Sequence, residues 1–420
     1  MPAFAALGRI SPVAVAAEPH RRVLYNVMDA GAHGNGSDDD TTHIGNAVTA
    51  AAGTPVYFPS GTYLLSSSLS VADDTNMVGV GTGSWLKGIV NFGSRSSFSY
   101  LKIGDSGNEG LQNLDGASST TFSHCRFRGG AGSYYTYVIA LGQWDGSMHA
   151  CDHVTFSYCD VERNLGTVSG ETGGYNNVGI WLPVSGNKDI SYLSFDHCNF
   201  GVSNGLGGHD TGSPRFNFEA YMSGGTGTGH WHHLTMTNNT FEASDGGNVD
   251  FSDNHMDTGQ VAHDVTFTGN LVKGGGYPDV AQYGYCLCVE YPENVVISGN
   301  TFYKGSMNFI NLTNDGGSAT DGPEITYNTF DADTANGITV VSDWQGFYIS
   351  SHYATLTDNT IEVHTQQGNY EWLVNIDGGG YNDFSGNTFN VTTDYSDEDL
   401  FYVGGGAHDN TISPNTINKT

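Results

Sequence analysis

Residues 296–302 read VISGNTF, and variants of the same phrase recur along the chain. TFSHCRF (121–127), TFSYCDV (155–161), SFDHCNF (194–200), TMTNNTF (235–241) and TFTGNLV (266–272) precede it. ITYNTF (325–330), TLTDNTI (355–361), DFSGNTF (383–389) and TISPNTI (411–417) follow it. The anchor position is held by Cys125, Cys159, Cys198, Asn239, Asn270, Asn300, Asn328, Asn359, Asn387 and Asn415, at spacings of 34, 39, 41, 31, 30, 28, 31, 28 and 28 residues. A basal period near 28 to 31, carried by short alternating strands without a helical pattern, fits one turn of a β-solenoid per repeat. Coils stack at about 4.8 Å, so nine steps predict a rod of roughly 43 Å. The expected fold is all-β, a right-handed parallel β-helix.

Stacking puts identical residues above one another. An inward Asn at a tight turn then bonds the amides of its neighbours and satisfies polar groups that would otherwise be buried unpaired. Cys125, Cys159 and Cys198 fall in the same column and are read as packed free thiols, although disulfides between stacked positions are geometrically conceivable. A second strand follows each anchor: YVIALGQ, VGIWLP, FNFEAY, VDFSDN, CLCVEY, FINLTN, ITVVSD and LVNID. Period-two alternation sends one set of these side chains inward and the other to a solvent face, where function is to be sought.

Composition narrows the partners. Among 420 residues there are 14 Lys plus Arg against 44 Asp plus Glu, a formal charge of −30, which disfavours nucleic acid and anionic membrane alike. With 38% hydrophobic residues, 21 Phe and 23 Tyr, the chain has material for a real core. Neither is there a run long and apolar enough to span a bilayer. Residues 1–24 read as an arm or a poor signal remnant, and 25–420 as the solenoid domain.

The segment 25–65, YNVMDAGAHGNGSDDDTTHIGNAVTAAAGTPVYFPSGTYLL, carries an independent signal. Asp40 or Thr41 caps a short helix running to about Ala52, and the strands VYFP and TYLL follow. This resembles the entry segment of the pectate-lyase-like β-helix superfamily of polysaccharide-degrading enzymes and phage tailspikes. Ala30 stands where that family usually has an aromatic, and Asn35 where Asp is usual. The resemblance implies a helix that caps the N-terminal end of the solenoid and hides its edge, with coils from about 66 to 420. Anchor Asn415 lies five residues before Thr420, so either this sequence stops short or another subunit covers the far edge; the resemblance makes a homotrimer one such arrangement.

Two adjacent coils exceed the basal period by about ten residues. The excess lies in the Gly-rich stretches 165–177, 203–215 and 223–230, which read as walls of a groove. Beside them lies an acidic constellation: Glu219 on the outward set with Asn217 and Tyr221, then Asp250 with Asp253 one coil on, then Glu290. Adjacent coils bring these carboxylates within roughly 5 to 10 Å, the pairing that glycoside hydrolysis needs for an acid and a base or nucleophile. A Glu followed one coil later by Asp-x-x-Asp is similar to the site of tailspike endoglycosidases. That resemblance implies Glu219, Asp250 and Asp253 as catalytic carboxylates acting on an extracellular or virion-surface polysaccharide. Arg215, His209, Glu290, Tyr221 and Trp181 are the expected substrate contacts, since flat rings stack on pyranose faces. Trp144, Tyr134, Tyr135 and Tyr137 extend the aromatic series.

Three other readings stay open. The carboxylates could bind Ca²⁺ as hard oxygen ligands, although no cofactor is required for hydrolysis. A lyase or epimerase would use Arg215 and a histidine in place of a carboxylate pair. A non-catalytic glycan-binding spike would use the same surface without chemistry. His230, His232 and His233 in GHWHH could ligate a metal, but alternation at a strand start points neighbours in opposite directions, which favours an ordinary structural role. Arg128, Arg163, Lys273 and Lys304 with Glu242, Asp331 and Glu362 read as a mixed-charge surface ladder.

Overall fold

In the computed structural model, short parallel strands wind into a right-handed β-helix. The structure describes residues 24–104, 112–128, 136–142, 149–162, 177–184, 187–202, 216–222, 228–244, 246–253, 262–275, 284–313, 322–334, 344–364, 372–392 and 400–420. One sheet of 25 strands wraps two faces of the coil, and a second, of 12 strands, closes the third. Each repeat phrase spans a corner of the larger sheet: Thr155–Ser157 and Asp160–Glu162 are two strands separated by Tyr158 and Cys159.

The corner is built by the anchors. Asn300 Oδ1 accepts the backbone N–H of Asn270 at 2.8 Å and its side-chain amide at 3.0 Å. Asn300 Nδ2 in turn donates to Asn328 Oδ1 at 2.9 Å and to the Phe267 carbonyl at 2.8 Å. The same pattern runs through Asn239, Asn270, Asn328, Asn359 and Asn387. Every link satisfies a buried amide that water cannot reach. The three N-terminal anchors are buried free thiols, as expected, and Cys198 N–H still donates to Asn239 Oδ1. Inside, Phe98, Phe122, Phe156 and Phe195 stack in one column at centroid spacings of 5.1, 4.7 and 4.9 Å, the coil repeat itself.

At the N-terminal end the helix Thr41–Ala51 buries Ile44, Ala47 and Ala51 against the first coils. Its cap differs from expectation. Asp40 is the N-cap residue but makes no side-chain cap bond; its buried carboxylate accepts the N–H groups of His33 and Gly34. Asp39 takes over instead, accepting from Thr41 and from Ser66.

The second strands fall in register as expected through Asn308–Thr313. There the expectation fails: the next strand in the column is Phe347–Ser350, and ITVVSD (338–343) lies outside the described residues. Phe347 packs at 4.7 Å on Phe330 and 5.9 Å on Phe309.

Candidate active site

The smaller sheet carries one outward column in strict register: Trp181, Glu219, Asp250, Cys288, Asn311, Tyr348, Asn375 and Tyr402. Parallel pairing places Glu219 and Asp250 one strand spacing apart, about 4.8 Å between backbones. Beside it runs a second column, Pro183, Tyr221, Ser252, Glu290, Thr313 and Ser350.

Asp250 is only 6% exposed although it lies on the outer face. Tyr285 Oη donates to its Oδ2 at 3.0 Å, and Ser252 donates to its Oδ1. Both carboxylate oxygens are therefore met by hydroxyls. An apolar frame surrounds this pair: Val178, Phe216, Tyr285 and Cys288 form a small cluster outside the main core, with Tyr137 and Trp181 packed against it. Burial pushes the Tyr285 hydroxyl well above the usual phenol range, and the Asp250, Cys288 and Glu290 charges reinforce this. Tyr285 is thereby a permanent donor. Burial also raises Cys288, again reinforced by Asp250 and Glu290. Its thiol meets Glu290 Oε1 at 3.5 Å and receives Asn311 Nδ2 at 3.3 Å.

Glu219 is half-exposed beside Asp250, and Trp181 stacks face to face on Tyr137 at 4.0 Å and 5° one coil earlier. Glu290 is half-exposed one coil beyond Ser252. Asp253 and Tyr221 are placed by backbone pairing with Met222 and with Pro183 and Ser252, but their side chains lie outside the described residues. Arg215, His209, Trp144, Tyr134, Tyr135 and the three long loops other than 228–230 lie outside them too.

One expected outward residue is not outward. Asn217 is fully buried, donating to the Glu242 carbonyl at 2.5 Å and to Asn248 Oδ1 at 2.8 Å. The cause is a bulge: the N–H groups of Asn217 and Phe218 both reach the Asn248 carbonyl, at 2.9 and 3.2 Å, so alternation slips by one. Tyr285 and Ser252 went unnoticed in the sequence. The signal was present: Tyr285–Val289 are five consecutive buried residues, and such a run means burial on both faces of a strand.

Of the expected charge ladder, Arg163 lies outside the described residues and Arg128 pairs with Glu162, which the ladder did not include. Lys273 Nζ meets Glu242 at 2.7 Å at the surface, whereas Glu162 is 1% exposed. Glu162 is held by Arg126 at 2.5 Å, Arg128 at 3.5 Å and Lys102 at 3.9 Å.

An acidic, aromatic-flanked face on a parallel β-helix defines the class of the protein, a pectate-lyase-like solenoid. The chain belongs to the rhamnogalacturonase A/epimerase, pectate lyase-like family, whose model matches residues 24–278. No curated sequence matches it. A similar solved structure is the surface adhesin PfbA of Streptococcus pneumoniae, with TM-score 0.56 and 14% identity over 94% of this chain and 93% of that one. The Dettilon tailspike protein is similar at TM-score 0.56 and 13% identity, over 90% of this chain and 68% of that one. At these identities the likeness is one of fold. Among the described residues no helix is long and apolar enough to cross a membrane.

Proposed function

We propose that this chain is an endo-acting glycoside hydrolase of an extracellular or virion-surface polysaccharide, with Glu219 and Asp250 as its catalytic carboxylates. The observation that carries the reading is the buried, doubly hydrogen-bonded Asp250 directly in register with half-exposed Glu219. A carboxylate that accepts from two hydroxyls suits the base or nucleophile. A neighbouring acid open to solvent suits the proton donor, which must be reprotonated every turnover. Trp181, one coil away and braced by Tyr137, offers a ring face for a sugar along the same axis. Glu290, half-exposed one coil beyond Ser252, adds to the acidic surface, and the family supports a carbohydrate substrate.

The test is product analysis on neutral and acidic polysaccharides. Hydrolysis yields new reducing ends without the ultraviolet absorbance of an unsaturated sugar. Glu219→Gln and Asp250→Asn should each lose at least about 10²-fold in rate with melting temperature preserved. Absorbance would replace hydrolysis by elimination. Unchanged rates in both variants would overturn the residue assignment, and binding without product on every polymer would leave a glycan-binding spike.

A further inference from the structure

On the larger sheet, away from the acidic column, strands Trp231–Thr237 and His263–Thr268 lie side by side with His232 opposite His263. The next residues, His233 and Asp264, both have left-handed backbone, φ 54° and 61°. That step breaks the alternation expected for GHWHH. Trp231 goes inward to full burial, while His230, His232 and His233 all stay at or near the surface.

The result is a cluster from two consecutive coils. His233 Nε2 lies 3.3 Å from Asp264 Oδ2, and His263 Nδ1 lies 2.7 Å from the same oxygen. Ligand atoms of His233, His263 and Asp264 all fall within 4.8 Å of one another. His232 stacks on His263 at 5.1 Å and 13°, and its Nδ1 is 2.6 Å from His233 Nδ1. Asn294, from a third coil, donates to the other oxygen of Asp264.

Ring stacking accounts for only part of this. His233 continues a surface stack with Tyr192 at 4.4 Å, as rings do elsewhere on these corners. Stacking does not require two imidazoles to converge on one carboxylate oxygen. Metal ligation gathers such ligand atoms around one point, and it also has the remaining atoms held by outer partners. Here the Nδ1 of His233 is engaged by His232 while its Nε2 faces inward to the site, and Asp264 is oriented by Asn294.

We propose that His233, His263 and Asp264 form a binding site for a divalent transition-metal ion of the zinc class. His232 and Asn294 act as positioning residues. Two imidazoles with one carboxylate suit Zn²⁺, Ni²⁺ or Cu²⁺ better than Ca²⁺ or Mg²⁺, which prefer all-oxygen sets. Metal–ligand bonds of 2.0 to 2.2 Å in a tetrahedron separate ligand atoms by about 3.3 Å, the spacing His233 and Asp264 already have. Three protein ligands leave the fourth position to water. The ion would join coils whose anchors are Asn239 and Asn270, and tie in a third through Asn294. The site sits on a different sheet from Glu219 and Asp250, so it is independent of the hydrolysis reading.

Isothermal titration of chelator-treated full-length protein with zinc chloride tests this. One site is expected, with Kd on the order of micromolar or tighter. His263→Gln and Asp264→Asn should each weaken it by about tenfold or more. His408→Gln, at a distant surface histidine, should leave it unchanged. Binding unaltered in both cluster variants, or no binding below millimolar zinc, overturns the proposal. Should the variants misfold, anomalous diffraction from zinc-soaked wild-type crystals decides. A peak between the three ligands supports the site, and peaks only elsewhere refute it.

Discussion

Tyr285 Oη lies 3.0 Å from Asp250 Oδ2, joining residues on two successive coils. The phenol is buried, and that burial keeps it protonated, so it donates at any working pH. Replacing Tyr285 by Phe removes one of the hydroxyl donors on a nearly buried carboxylate. Hydrogen bonds to charged groups contribute about 1.5 to 3 kcal/mol. Tyr285→Phe is therefore expected to lower kcat by about tenfold or more while the ring keeps its packing on Phe216. Polymer turnover and thermal melting, measured together, check it. An unchanged kcat would mean that the pair is only structural.

Trp181 precedes Glu219 in the column and lies flat on Tyr137. Stacked rings are worth about 0.5 to 1.5 kcal/mol beyond area burial, so Trp181→Ala should raise KM by about tenfold. The carboxylates are untouched, so kcat should stay close to wild type. Steady-state kinetics on a soluble polymer separate the two constants.

The asparagine ladder can be cut at a known point. Asn300→Ala leaves the Asn270 N–H and the Phe267 carbonyl without their side-chain partner inside the coil. Each unsatisfied buried group costs about 1 to 3 kcal/mol, so a loss of roughly 3 kcal/mol is expected by denaturant titration. Asn415→Ala, at a half-buried link, should cost less.

The repeat was legible because a ladder makes selection visible as identical residues at coil spacing, Asn239 to Asn415. Register within the coils was less so. Alternation alone could not separate ITVVSD from FYIS at 347–350, the stretch that pairs with Ile310–Thr313. Nor could it show the bulge that turns Asn217 inward. The left-handed corners were readable but passed over. The residue before each anchor from Cys125 to Asn387 is His124, Tyr158, His197, Asn238, Gly269, Gly299, Tyr327, Asp358 or Gly386, all at positive φ. Gly, Asn and Asp recur there because they tolerate that backbone. Type and spacing were enough to expect Glu219 and Asp250 on adjacent coils, and they fall in register. Tyr285 was not, because a tyrosine in an apolar strand shows its hydroxyl's partner only once the coils are stacked.

All six cysteines are buried free thiols. Burial pushes Cys151, Cys159, Cys286 and Cys288 above the ordinary thiol range, so the reactive thiolate is scarce at neutral pH. A disulfide-exchange reagent should label none of them quickly in the native protein and all six after denaturation. Fast native labelling would show a coil that opens.

Tyr63 sets an alkaline limit for the N-terminal cap. It is fully buried, donates to the Pro59 carbonyl at 2.9 Å, and its hydroxyl is pushed up to about 12 by burial and then by Asp40. In the unfolded chain a tyrosine ionises near its ordinary value of about 10. The folded pKa is the higher one, so the unfolded state loses its proton first as pH rises. The contribution is fully present below pH 10, shrinks from there, and is lost as pH passes through 12. Wild-type protein should show falling resistance to denaturant across that window. Tyr63→Phe should show a shallower fall, because no ionisable group remains at that position. It should also be less stable at neutral pH by about 1 kcal/mol for the lost hydrogen bond. Equal alkaline slopes in the two proteins would exclude Tyr63 as the titrating group.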